Sequence, residues 1–403
     1  MGKGTQMGFI ARRGRGATVL TGAALGALTL AGCSSDSAEP AASGSDSGSD
    51  TATEAPAELT PVSVQLQWLT QAQFACYYAA ADQGFYEEEG LEVEILPGAV
   101  DIVPIDVLTS GGADFAISWV PKVLGAIEQG AAVTNVAQIF ERSGTMQVAF
   151  ADSGIESAAD LAGKSVGSWG YGNEWELIAG MQASGVTLGD LDGGSTVQQA
   201  FDMNAFIAGD IDAAQAMTYN EYAQVLETEN PETGELYTAD DLVVIDWNDE
   251  GTAMLQDAIW ADSERLASDE AYAETTTAFI KGTIKGCVFA KDDPQAAADI
   301  VTAAGSTLGT SHQLWMANEV NKLIFPSTSG VGHINEDQWE QTVGLALETV
   351  NPEGATIITA DPPETAYSNE YVDAALAELA DEGVDTMGEG FEPIEVTLNP
   401  GGE

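Results

Sequence analysis

Residues 108–118 read LTSGGADFAIS, and about ninety residues later positions 206–217 read FIAGDIDAAQAM. Each stretch is an apolar helix end, a glycine that closes it, an aspartate and a short apolar strand. Upstream of the first copy, residues 62–67 (VSVQLQ) alternate and open with β-branched side chains, as a strand does. Residues 74–82 (FACYYAAAD) read as a helix ending at Gly84, 85–91 as a helical turn closed by glycine, and 92–96 as a second strand. A helix around 105–110 then leads into a third strand within 113–119. The sequence therefore predicts β-α-β-α-β, a mostly parallel sheet with helices on its faces. Because the same unit recurs in the other half, it predicts an α/β fold of two lobes with like topology.

The turns that follow the strands are unusual in composition. Residues 168–176 read SWGYGNEWE between an apolar run (164–168) and a helical run (174–183). Gly170 and Gly172 let the backbone approach a guest closely. Trp169, Tyr171 and Trp175 supply flat rings, Asn173 is placed to cap the helix, and Glu174 and Glu176 supply acceptors. Trp68, with Gln73 and Phe74 beyond it, follows the first strand, Trp119 ends the third, and Tyr219, Asn220 and Glu221 follow residues 206–217. In open α/β sheets ligands sit outside the carboxyl ends of strands. Turns after Gln67, Ser118, Ser168 and Met217 are thus expected to converge on one cleft between the lobes.

Residues 1–33 combine Lys3, Arg12, Arg13 and Arg15 with an apolar run over 17–31 and end in Leu30-Ala31-Gly32-Cys33. These are the parts of an export signal, and the run is shorter than the roughly 20 residues of a membrane span. Leu-Ala-Gly-Cys resembles the lipobox of bacterial lipoproteins, which makes Cys33 the expected lipidation site. Residues 34–60 are rich in Ser, Ala, Asp, Pro and Gly and read as a disordered linker. Removal of the signal takes four of the twelve Lys and Arg and none of the 64 acids, leaving a net charge of −56. Nucleic acid and anionic lipid surfaces are excluded as partners by that sign.

From residue 268 the pattern is mainly helical, at 269–289, 294–304, 310–324, 336–348 and 369–382. Residues 242–246 read as a strand, and 255–260 as a strand or short helix returning toward the first lobe. Cys76 and Cys287 have no CxxC or metal spacing, and outside the cytoplasm they are expected to form a disulfide. His312 and His333 lack metal-ligand spacing, and neither a Gly-x-Ser-x-Gly elbow nor a phosphate-binding Gly-rich loop is present. No catalytic residue, metal or cofactor is expected.

Several motifs together resemble the substrate-binding lipoproteins of ABC importers. They are Gln67-Trp68 with Gln73-Phe74-Ala75, the run Gly84-Phe85-Tyr86-Glu87-Glu88-Glu89-Gly90-Leu91, Gly112-Ala113-Asp114-Phe115, Trp119-Val120-Pro121, Gly163-Lys164-Ser165-Val166-Gly167, Gly172-Asn173-Glu174 and Tyr219-Asn220-Glu221. The resemblance is to the family that holds bacterial binders of the thiamine pyrimidine precursor and a fungal pyrimidine synthase, related to sulfonate, nitrate and riboflavin binders. It implies a two-lobed periplasmic-binding-protein-like fold of type II. Lobe 1 is expected at 62–150 plus 255–385, lobe 2 at 151–254, and a tail at 386–403. It further implies a monomer anchored by lipid outside the cell membrane, carrying a small heterocycle to a permease driven by an ATPase. Trp68 with Trp169 or Tyr219 is expected to sandwich an aminopyrimidine. Glu174 would accept from its amino group, with Asn173 or Asn220 at the ring nitrogen. Riboflavin, or a sulfonate or nitrate, is the alternative ligand. A pyrimidine-synthesising enzyme is the alternative of another class, opposed by the absence of the synthase's cysteine-rich segment and donor histidine.

Overall fold

The computed structural model describes residues 58–186 and 195–403. The export signal, Cys33 and nearly all of the linker lie outside the described residues. The ten strands among the described residues are β1 Thr60–Gln65, β2 Leu91–Leu96, β3 Phe115–Trp119, β4 Val133–Gln138, β5 Thr145–Phe150, β6 Ser165–Ser168, β7 Ser195–Gln198, β8 Ala213–Met217, β9 Leu242–Asp246 and β10 Asp257–Asp262. They form two five-stranded sheets, in the orders β2-β1-β3-β10-β4 and β7-β6-β8-β5-β9.

The two orders are one topology used twice. In each sheet three parallel strands are followed by an antiparallel fourth, β10 in the first and β5 in the second. LTSGGADFAIS runs into β3 and FIAGDIDAAQAM into β8, which hold the same place in their sheets. The antiparallel strands are those the chain enters on crossing between lobes. Because β5 pairs with β8 and β9, the first crossing precedes residue 145. That corrects the expected lobe boundary at 150/151. Strand β1 likewise starts at Thr60, inside the stretch read as linker.

Both sheets are buried on both faces, and the period-2 geometry of a strand decides which residue goes where. On β3, Phe115 and Ile117 join the core under helix Glu270–Asp292, while Ala116 faces helices Val120–Glu128 and Glu336–Glu348. On β10, Ile259 and Ala261 take the first face, Ala258 and Trp260 the second. Helix Ala75–Asp82 lies against Glu270–Asp292, and the expected disulfide between Cys76 and Cys287 joins them, with Cα atoms 4.2 Å apart.

The crossings at 139–144 and 247–256 are tied together by Glu176, from helix Trp175–Ala183. Its carboxylate accepts from Met254 N at 2.6 Å and from Ser143 Oγ at 3.0 Å, and Gln256 donates to Ser143 Oγ at 2.9 Å. Glu176 therefore faces the hinge rather than the cleft. Burial pushes its carboxyl up to about 7. The tail continues along lobe 1 and ends on lobe 2. Ile394 N donates to Asn318 Oδ1 at 2.8 Å, Asn399 N to Ser311 Oγ at 3.2 Å, and Gly401 N to the Glu227 carbonyl at 3.0 Å.

Candidate ligand-binding site

A cavity of about 570 Å³ opens between the lobes, within the usual 300–1,000 Å³ of small-molecule sites. Its walls include the segments after β1, β3, β6 and β8, the carboxyl ends of central strands in both sheets, together with residues 99–105 after β2 and Phe201 after β7. The expected convergence therefore occurs. Trp68, Gln73, Trp119, Trp169, Tyr171, Gly172, Asn173, Tyr219, Asn220 and Glu221 all line it. Phe74 does not line it, being fully buried in the core beside Tyr77. Glu174 does not line it either, because its carboxylate folds back to accept from Gly172 N at 2.9 Å.

The glycine turn is held in a tight form. Gly170, Tyr171 and Gly172 have φ of 67°, 56° and 83°, and Tyr171 is the one non-glycine residue with positive φ among the described residues. The left-handed region costs such a residue roughly 1–2 kcal/mol. The strain is offset from below by Gln215 on β8, whose Oε1 accepts from Trp169 N and Ser168 Oγ, both at 3.0 Å. Its Nε2 donates to the Asn173 carbonyl. Asn173 does not cap the helix; its Oδ1 accepts from Lys122 Nζ across the cleft at 2.7 Å.

Behind the other wall lies Asp257, 2% exposed. Its Oδ1 accepts from Trp119 Nε1 at 2.8 Å and from Gln67 Nε2, and its Oδ2 from Gln73 Nε2 at 2.9 Å. One carboxylate thus fixes three side chains that line the cavity. Burial pushes Asp257 up to about 6, opposed by those three donors and by nearby Lys122. Lys122, over the Trp119 ring at 4.6 Å, is pushed down to about 8 by burial, against the pull of Asp257 and Glu174.

On the second lobe Glu221 is the carboxylate at the cavity. Its Oε2 accepts from Met217 N at 3.0 Å and its Oε1 from Asn220 Nδ2 at 2.9 Å. With one donor each, both oxygens keep acceptor capacity. Burial pushes Glu221 up to about 7. Phe201 stands 4.6 Å from Trp68 and 6.1 Å from Trp169 between ring centroids, an aromatic row that joins the lobes.

Sequence reasoning missed Phe201, Lys122, Asp257 and Gln215. Lys122 carried a signal, as the lone base beside the Trp119-Val120-Pro121 turn in a chain of few bases. Asp257 was one acid among 64, and Phe201 and Gln215 became visible only when the sheet was assembled.

Several known proteins are similar to this chain. The formylaminopyrimidine-binding protein of Halalkalibacterium halodurans is 28% identical over 250 residues, 60% of this chain and 70% of that one. The riboflavin-binding protein RibY of Chloroflexus aurantiacus is 27% identical over 248 residues, 60% of this chain and 66% of that one. Among solved structures, a sulfonate ABC transporter periplasmic binding protein, SsuA, from Methylobacillus flagellatus superposes with a TM-score of 0.57. At 19% identity, over 85% of this chain and 99% of that one, it speaks for the fold. The model of the family described as NMT1/THI5 like matches residues 71–297. That match spans more than half of the sequence and takes in both lobes, and the chain belongs to the NMT1/THI5-like family.

Proposed function

We propose that this chain is the solute-binding component of an ABC importer, held outside the cell membrane by a lipid on Cys33, and that it binds an aminopyrimidine precursor of thiamine. The observation that carries the reading is the juxtaposition of flat rings with an acceptor beside a donor. Trp68, Trp169 and Tyr219 offer faces for a planar heterocycle, Glu221 offers an acceptor for an amino group, and the second Nδ2 hydrogen of Asn220 offers a donor for the ring nitrogen beside it. In this reading the acceptor is Glu221, since Glu174 folds back onto Gly172 N. Stacking adds about 0.5–1.5 kcal/mol per aromatic pair beyond burial. The lobes close on the ligand about the Glu176 hinge, and the closed form is what a permease and its ATPase receive.

A second reading, riboflavin, is favoured by the cavity's room beyond a single ring and by its aliphatic rim, where Val100 and Val103 are exposed. Calorimetry with formylaminopyrimidine, hydroxymethylpyrimidine, riboflavin and taurine tests both. Saturable pyrimidine binding without turnover is expected. Taurine binding with both pyrimidines silent overturns the assignment, and riboflavin alone selects the second reading.

A further inference from the structure

Eight Lys and Arg follow Cys33 in the sequence. Arg265, Lys281, Lys285, Lys291 and Lys322 pair with carboxylates. Arg142 and Lys164 donate to backbone carbonyls. Lys122 alone among them lines the ligand cavity. In a chain with 64 acids, it has no carboxylate within 4.0 Å among the described residues.

Its setting makes a charge there costly. It is the third residue of helix Val120–Glu128, where the helix dipole opposes a cation. Burial disfavours its ammonium further. Of its three N–H donors, one is given to the neutral Asn173 Oδ1 and the charge leans on the Trp119 face. Sites that break a local rule in this way are where function is expected.

We infer that Lys122 is a specificity-determining residue: the ligand presents an oxygen acceptor, a carbonyl or an oxyanion, to its ammonium while presenting an amino donor to Glu221. This rests on the aminopyrimidine reading and deepens it, since it requires the ring to carry opposite polarity at its two ends. A ligand whose substituent is itself an ammonium meets like charge at Lys122. A carbonyl joins Asn173 Oδ1 in accepting from the three N–H donors of Lys122. The arrangement also couples recognition to closure, because Lys122 belongs to lobe 1 and Asn173 to lobe 2.

The test is calorimetry at pH 7 with three pyrimidines that share one ring: formylaminopyrimidine, its deformylated amine and hydroxymethylpyrimidine, against wild type, Lys122→Met and Lys122→Arg. The formyl compound is expected to bind wild type at least tenfold more tightly than the amine. Lys122→Met is expected to bring that ratio to within about twofold, and Lys122→Arg to preserve it, with charge-assisted hydrogen bonding as the cause. Lys122→Met removes a cation whose burial outweighs the pull of Asp257 and Glu174, so it is expected to melt no lower than wild type. A formyl-to-amine ratio unchanged in Lys122→Met overturns the role of Lys122 and leaves the pyrimidine reading standing. Failure of all three pyrimidines to bind wild type overturns both.

Discussion

His312 Nδ1 lies 2.8 Å from Glu227 Oε1 across the boundary between the lobes, and both side chains are buried. The other ring nitrogen is 3.0 Å from Asn220 Oδ1. A cavity residue is thereby tied to helix Thr310–Ile324 of the first lobe. The tail closes over the pair, with Gly402 packed against His312 and Glu227. Removing one partner leaves buried polar atoms of the other without a hydrogen-bond partner, at a cost of about 1–3 kcal/mol. His312→Ala and Glu227→Ala are each expected to lower the urea midpoint strongly. The double variant is expected to lose less than the two singles added together. Additive losses would mean that the contact carries no coupling.

Glu221 and Glu174 separate cleanly by substitution. A hydrogen bond to a charged group contributes about 1.5–3 kcal/mol, so Glu221→Ala is expected to weaken pyrimidine binding by roughly ten- to hundredfold. Glu174, folded onto Gly172, is expected to change affinity by less than about threefold through the turn alone. Calorimetry on both variants decides, and a larger loss in Glu174→Ala than in Glu221→Ala would return the role to Glu174.

The fold was legible because it repeats. LTSGGADFAIS and FIAGDIDAAQAM mark equivalent strands, and the turns they lead to bring Trp119, Tyr219, Asn220 and Glu221 to the cavity. That Glu174 turns away from the cavity was not legible: its carboxylate follows Gly172 N, whose direction is set by the positive φ at Gly170, Tyr171 and Gly172. Asp257 is hidden for a different reason: it acts from behind the wall, on an antiparallel strand contributed from beyond the second lobe.

Stability is expected to fall as pH rises toward neutral. Burial pushes Glu176 and Glu221 up to about 7 and Asp257 to about 6. Each holds its proton more tightly folded than unfolded. Its contribution is therefore complete below the unfolded carboxyl range, near 4, and is lost as pH climbs through 6 to 7. At about 1.4 kcal/mol per pKa unit the ceiling is about 3 kcal/mol for each glutamate. Carboxyls held low, such as Asp160 and Asp241, sit on the surface, where solvent screens them. In 1 M NaCl the melting temperature is expected to be higher at pH 5 than at pH 8, and Glu176→Gln should flatten that slope. Greater stability at pH 8 would contradict the burial argument.

Self-repulsion predicts a response to salt. A net charge of −52 opposes compaction, and screening at about 0.15 M acts only beyond about 8 Å. Raising NaCl from low to molar concentration is expected to raise the melting temperature. Chloride isolates screening from the exclusion effect of sulfate. A flat or falling curve would show that the acids are spaced widely enough not to matter.

The disulfide and one glycine make a joint prediction. Helix Glu270–Asp292 comes close enough to helix Ala75–Asp82 for Cys76 and Cys287 to bond because Gly286 has no side chain. A Cβ there would stand 2.0 Å from the Cys76 carbonyl oxygen, a backbone atom that cannot swing aside. Gly286→Ala must therefore push the helices apart, at a typical overpacking cost of about 1–3 kcal/mol. The bond closes a loop spanning a sequence separation of 211 residues, worth roughly 5 kcal/mol in the chain-entropy account. Alkylation under denaturing, non-reducing conditions is expected to leave Cys76 and Cys287 unmodified in wild type, and reduction is expected to lower the melting temperature. In Gly286→Ala the separated helices are expected to make the bond easier to reduce. Two free thiols in wild type would remove the disulfide. A Gly286→Ala protein as stable as wild type would mean that the helices do not approach as closely as described.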